Sequence, residues 1–336
     1  MSIKLSGTVR MGIIAGLLGL FATSAWAVCN AGPGPTGPGT GNLRLREAID
    51  VDRDCKADLS VFRPSTNVWY INKSGGGGFV ATQWGLSAED YPTPGDFDGD
   101  GKGDIAVFRD TTGVWYYLAS STGAFSAVGW GSSGDEPVAR DYDGDGKTDF
   151  AVARRSNGNL VWYILRSSDG GYSVTTWGLS TDYTSPGDYD GDGKFDISIM
   201  RPGPTPTSQA TFYTLKSSNG AAEIVGWGFS NDLVVPGDYD GDGKTDYAVV
   251  REGSTPTSQL IWYVLKSTGG FTATAWGTTG TDMNVQNDYD GDGKTDIAIW
   301  RDSTGTFWVL RSSDGGISTV GWGSPNDYPV ASYDTH

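Results

Sequence analysis

"DYDGDGKTD" occupies residues 141–149, and the same nine letters return at 238–246 and 288–296. Near copies begin at Asp96 and Asp188, and a looser one, "DVDRDCKAD", begins at Asp50. Each copy crowds four carboxylates into nine residues, where they repel one another unless a cation relieves them. The steps between copies are 46, 45, 47, 50 and 50 residues. A period of that length marks a repeat architecture, so the repeat is read before any local structure.

Other features keep the same beat. A Trp-Gly pair recurs at Trp84, Trp130, Trp177, Trp227, Trp276 and Trp322. An arginine recurs at Arg63, Arg109, Arg154, Arg201, Arg251 and Arg301, each followed by an aromatic pair such as Trp69-Tyr70 or Trp162-Tyr163. One unit parses into four strands: A in "EPVARDYD" from Glu136, B in "DFAVAR", C in "LVWYILRS" and D in "YSVTTWG". "GDGK" joins A to B, and the glycine-rich "SDGG" turns C into D. Four strands in about 47 residues is the size of one propeller blade. Separate mini-domains fail as an alternative, because one four-stranded sheet cannot bury a core alone. The expected fold class is therefore all-β, a β-propeller of four-stranded blades. The C-terminal "YPVASYD", residues 328–334, matches strand A of a next unit and then stops. It is expected to complete the first blade from the other end of the chain, closing a ring of six. Seven blades is the alternative, should 43–49 also form a strand.

Within the copy at 96–104, Asp96, Asp98, Asp100 and Asp104 take positions 1, 3, 5 and 9. Alternate carboxylates on a curled loop point to one centre, and the carbonyl of Lys102 at position 7 can add an oxygen. Several hard oxygens on a flexible loop suit Ca²⁺, and the absence of thiolate or imidazole argues against zinc or copper. Equivalent sets are Asp141, Asp143, Asp145, Lys147 and Asp149; Asp188, Asp190, Asp192, Lys194 and Asp196; Asp238, Asp240, Asp242, Lys244 and Asp246; and Asp288, Asp290, Asp292, Lys294 and Asp296. This is no EF-hand: position 12 is Val152 in the copy at 141, not Glu, and the flanks read as strands. The first copy keeps Asp50, Asp52, Asp54 and Asp58 as a sixth site, but Arg53 and Cys55 replace both glycines there and Arg53 adds an opposing charge. The alternative is that these aspartates only form Asx-turns.

The N-terminus reads as a secretory signal. Lys4 and Arg10 precede and flank an apolar run at 11–22, and Ala25-Trp26-Ala27 fits a cleavage site. Residues 1–27 are thus expected to be removed, leaving a Gly/Pro-rich segment at 28–45 and the propeller at 46–336; an uncleaved anchor is the alternative. Removing Lys4 and Arg10 takes the net charge from −16 to −18. Such a surface repels nucleic acid and anionic membranes. Export implies an extracellular or cell-surface location, with the periplasm as alternative. It favours a Cys29–Cys55 disulfide, against which a lipid-modified Cys29 is the competing reading. Nothing points to an obligate oligomer, so a monomer is expected, with no membrane insertion after signal cleavage.

The repeated D-x-D-G-D-G-K-x-D, preceded by Trp-Gly and followed by "IAVxR", resembles the FG-GAP or VCBS repeat family, which is related to the propeller of integrin α subunits. The resemblance spans about residues 46–334. It implies a β-propeller with Ca²⁺ on its A–B loops. Trp-Gly stands for Phe-Gly, and the Gly-Ala-Pro element is mostly absent, with Pro-Gly-Asp in several copies, departures that favour the bacterial branch.

Signs of an enzyme are thin. The single histidine is His336 and no nucleophile–base pair is visible. A calcium-rich polysaccharide lyase is the alternative to a binding or adhesion protein for glycans or proteins, and a purely structural surface protein is the third reading. The Trp-Gly residues are expected to fill the gaps between blades rather than stack on sugars, and the recurring arginines to form inter-blade ion pairs or to donate hydrogen bonds rather than contact a ligand. The longest B–C connections, "PGPTPTSQ" and "EGSTPTSQ", lie in adjacent units. Strand alternation puts them opposite the Asp loops, where Thr205, Thr207, Gln209, Thr255, Thr257 and Gln259 are a candidate ligand patch.

Overall fold

The computed structural model describes residues 49–86 and 89–330. The signal segment, the Gly/Pro-rich segment and Cys29 lie outside the described residues.

Six four-stranded antiparallel sheets form a ring, a six-bladed β-propeller. The third blade shows the plan. Strand A is Glu136–Pro137, B is Phe150–Ser156, C is Asn159–Leu165 and D is Tyr172–Leu179, with spatial order A-B-C-D. The parse read from the repeat therefore holds strand for strand. Strand B carries a run of three buried residues in every blade, as in Ile105–Arg109 and Ile297–Arg301. A strand flanked on both faces by neighbouring blades has no wet side and reads as a continuous apolar run. Strand D alternates exposed and half-buried residues, as in Phe79–Gln83, because it is the outer edge of the sheet.

The apolar interior is split into six clusters, each between two adjacent blades. Phe97, Phe108, Trp115 and Val152 join the second and third blades. Val61, Ala298, Trp300 and Phe307 join the sixth to the first. Closure of the ring thus buries the same kind of core as any other junction. The first blade is Tyr328–Pro329, Leu59–Arg63, Val68–Asn72 and Phe79–Gln83, so its strand A comes from the C-terminus. Phe62 pairs with Tyr328 and Val61 with Pro329, and the Val330 N–H donates to the Ser60 carbonyl at 2.9 Å.

The Trp-Gly residues hold the junctions, as expected. Each indole Nε1–H donates to a strand C carbonyl of the next blade: Trp84 to Tyr116, Trp130 to Tyr163, Trp177 to Tyr213, Trp227 to Tyr263, Trp276 to Trp308, and Trp322 across the closure to Tyr70. The recurring arginines correct one expectation. Their partners lie within a blade, not between blades. Asp90 and Arg109 are directly opposed on strands A and B, as are Asp282 and Arg301. Two side chains set side by side by strand pairing meet more readily than side chains across a junction. Each guanidinium also lies over a strand C ring, Arg109 at 4.5 Å from the Tyr116 centroid. In the first blade the pair joins the chain ends, Arg63 to Asp327 at 2.7 Å.

Candidate metal centre

Each Asp loop leads into strand B, from strand A in five blades and from the N-terminal side in the first, and in those five glycine eases its curl. Gly99 and Gly101 have φ of 80° and 81°, a region other residues enter at a cost. In the first loop Arg53 and Cys55 adopt the same left-handed turn, with φ of 61° and 71°. The loop shape is therefore kept where the sequence lacks its glycines.

The carboxylates at positions 1, 3 and 9 converge. Asp96, Asp98 and Asp104 each present an oxygen so that all lie within 4.8 Å of one another. The same holds for Asp141, Asp143 and Asp149, for Asp188, Asp190 and Asp196, and for Asp238, Asp240 and Asp246. It also holds for the first loop, through Asp50, Asp52 and Asp58. Around the sixth loop the Gly291 N–H donates to Asp288 and the Ser312 N–H to Asp296, the pattern of the others.

Backbone donors fix the outer two ligands of each triad. Asp96 accepts from the N–H groups of Gly99 and Gly101 at 2.6 and 2.8 Å, as in an Asx-turn. Asp104 accepts from the Phe97 and Ser120 N–H groups at 2.8 and 2.7 Å. These bonds favour the ionised form, yet burial outweighs them: Asp96 is pushed up to about 7 and Asp104 to about 6. Burial likewise lifts Asp50, Asp149, Asp188, Asp238, Asp246 and Asp296 to about 7. Asx-turns alone do not account for this. A turn needs one carboxylate, whereas each loop buries two and aims a third at them. Asp52 Oδ1 and Asp240 Oδ1 are buried without a hydrogen-bond donor. An all-oxygen donor set with surplus negative charge fits a hard divalent cation.

Position 5 is handled differently. Asp100 Oδ1 accepts from the Lys102 N–H at 2.9 Å and from the Ser120 hydroxyl at 2.9 Å. Ser120 and Ser121 lie on the C–D turn of the same blade, and the Ser121 hydroxyl holds Asp98 at 2.6 Å. Ser167 and Ser168, Ser217 and Ser218, and Ser312 and Ser313 repeat this clamp. Ser267 and Thr268 do so in the fifth blade. Ser74 supplies one half in the first blade, where Gly75 takes the second place. Sequence reasoning missed these hydroxyls, although a Ser-Ser or Ser-Thr pair after strand C recurs with the same period. The described cysteine is not free.

On the opposite face, the long B–C connections are self-braced. The Thr205 and Ser208 hydroxyls share a bond of 2.7 Å, and Thr255 and Ser258 one of 2.8 Å. The Gly203 N–H donates to the Ser230 hydroxyl and that of Gly253 to the Thr279 hydroxyl, tying each loop to a D–A turn. Gln209 and Gln259 begin strand C, and Gln209 lies over Gly226. Thr205, Thr207, Thr255 and Thr257 are exposed.

Two segments, 50–107 and 141–199, match the FG-GAP-like repeat. No curated protein matches the chain in sequence. Among solved structures, a mutant of AofleA from Arthrobotrys oligospora is similar, with a TM-score of 0.51 at 12% identity over 86% of this chain and 90% of that one. Apo AztD from Citrobacter koseri aligns over 82% of this chain and 99% of its own, at 10% identity and a TM-score of 0.39. The first likeness speaks for the fold alone. Among the described residues no helix is long and apolar enough to cross a membrane.

Proposed function

We propose that this propeller of FG-GAP-like repeats is a secreted or cell-surface protein that binds Ca²⁺ in its A–B loops and acts by binding or adhesion to glycans or proteins. The observation that carries the calcium reading is the recurrence of one convergent carboxylate triad, two of its members buried, loop after loop around the ring. Positions 1, 3 and 9 would hold the ion, with the position 5 carboxylate and the position 7 carbonyl as further oxygens. The bound ion would neutralise charge that burial otherwise makes costly; the C–D hydroxyls would hold the position 3 and 5 carboxylates in place. Six ions would bring a mature charge of −18 to about −6. The residues left to recognise a ligand lie on the other face, at the exposed threonines of the two long B–C loops. A Cys29–Cys55 bridge would tether the N-terminal segment to the first blade.

Equilibrium dialysis against ⁴⁵Ca²⁺ tests the metal, with five to six ions per chain expected and none refuting it. A glycan array with and without calcium tests the binding role. Signal that vanishes when both long B–C loops are shortened supports the proposed patch, and signal that persists excludes it.

A further inference from the structure

The six Asp loops are joined to one another as well as to their own blades. At each junction the N–H of position 8 donates to the carbonyl of the position 1 aspartate in the preceding loop. These bonds run from Gly103 to Asp50 at 3.0 Å, Thr148 to Asp96 at 2.7 Å and Phe195 to Asp141 at 2.9 Å. They continue from Thr245 to Asp188 and Thr295 to Asp238, both 2.7 Å, and Ala57 closes the circle on Asp288 at 2.8 Å. A second contact accompanies five of them. The position 7 lysine lies across the position 4 glycine of the preceding loop, so that a Cβ on Gly99 would collide with the Lys147 side chain. Lys194 covers Gly144, Lys244 covers Gly191, Lys294 covers Gly241 and Lys56 covers Gly291. At the remaining junction, where Arg53 replaces that glycine, Arg53 reaches forward and its Nη1 donates to the Asp100 carbonyl at 2.8 Å.

The residue that would hold an ion in one loop is therefore fixed through its backbone by the next loop, all the way round. We propose that the six sites load Ca²⁺ cooperatively as one closed ring; this rests on the calcium reading above. An ion that orders one loop sets the position 1 carbonyl and position 4 turn against which the following loop is built. That loop then binds with less ordering left to do, which is positive coupling without a large structural change. Electrostatics push the other way, since each divalent ion lowers the negative potential that attracts the next. At physiological ionic strength that opposition is screened beyond about 8 Å, whereas hydrogen bonds between adjoining loops are not. Positive cooperativity is thus a sharp outcome, because simple charge neutralisation predicts the reverse.

Native mass spectrometry of the full chain during a calcium titration reads the distribution of loaded states. The expected result at half saturation is a mixture of nearly empty and nearly full chains. Asp190→Asn, which alters the ligand set of the fourth loop alone, should lower the affinity of the flanking loops by about fivefold or more, the lower range of typical coupling. Lys244→Ala leaves every carboxylate in place and should shift the distribution toward partly loaded states. A binomial distribution in the wild-type chain overturns the proposal, whether or not the variants fold. So does an Asp190→Asn chain that loses one ion while the rest of its titration is unchanged. Independent loading refutes the coupling alone, while a chain that binds no calcium refutes the reading beneath it as well.

Discussion

Calcium removal should destabilise this protein, and the effect should depend on pH in a direction that burial of the aspartates dictates. At pH 7.5 a site with a dissociation constant of about 10⁻⁴ M in 1 mM Ca²⁺ contributes roughly 1.4 kcal/mol, and six contribute roughly 8 kcal/mol. For a domain of this size that is a fall in Tm of about 15 °C on chelation. In chelator, the buried carboxyls near 6 to 7, such as Asp104 and Asp96, keep protons that the unfolded chain releases from about pH 4 upward. The stability linked to those protons is full below about pH 4 and gone above about pH 7. Between those limits the calcium-free protein must become less stable as pH rises, by up to about 1.4 kcal/mol per retained proton per pH unit. With calcium the ion has to displace the same protons, so its stabilising increment must shrink as pH falls from 7.5 to 5. Differential scanning calorimetry in EDTA and in calcium, at four pH values, checks both trends. Equal melting temperatures at pH 7.5, or a calcium-free protein that gains stability with rising pH, would refute the reasoning.

Truncation after Ser324 removes Tyr328–Pro329 and the Asp327 partner of Arg63, and should lower Tm sharply in both calcium and chelator. Arg201→Met leaves the fully buried Asp182 carboxylate without its cation and should cost about 3–5 kcal/mol by urea unfolding, more than Asp182→Asn. Trp322→Phe deletes the indole bond to Tyr70 across the closure and should cost about 1–3 kcal/mol, with a similar loss for Trp177→Phe at an ordinary junction. Cys55→Ser and Cys55→Gly both abolish any bridge, but only glycine relieves the φ of 71°; the glycine variant should be about 1 kcal/mol more stable, and equal stabilities would show that the turn is unstrained.

The Asp loops and the blades were legible because their information is local and repeated. Positions 1, 3 and 9 stand at fixed offsets on one turn, so spacing alone brings Asp96, Asp98 and Asp104 together. Strands B and C are neighbours in sequence, and their apolar runs survive in every copy. What escaped was information carried across the sheet. Ser120 and Ser121 reach their carboxylates only because the C–D turn folds back to the end of the blade that holds the A–B loop, which places residues some 20 positions apart side by side. The arginine partners were hidden by abundance rather than distance. Asp90, Asp135, Asp182, Asp232 and Asp282 each stand 19 residues before their arginine. In a chain so rich in aspartate, that regularity is masked by the louder cluster beside it.

A ring made from one chain has a single place where neighbouring strands of the repeat are not linked by adjacent sequence, here between strands A and B of the first blade, and the structure shows how that closure is made equal to the rest. Four kinds of contact that recur around the propeller all reappear there. The sheet is completed by Tyr328–Pro329, the arginine pair by Arg63 and Asp327, the indole bond by Trp322 and Tyr70, and the loop-to-loop bond by Ala57 and Asp288. The first three depend on residues near the C-terminus, and fraying of that end would loosen them together. The fourth does not: Ala57 and Asp288 lie well inside the chain, on the face that carries the Asp loops. If calcium stiffens those loops, it holds the closing junction by a path that C-terminal fraying does not reach. The destabilisation caused by truncation should accordingly be larger in chelator than in calcium, because only in chelator are both fastenings weakened together.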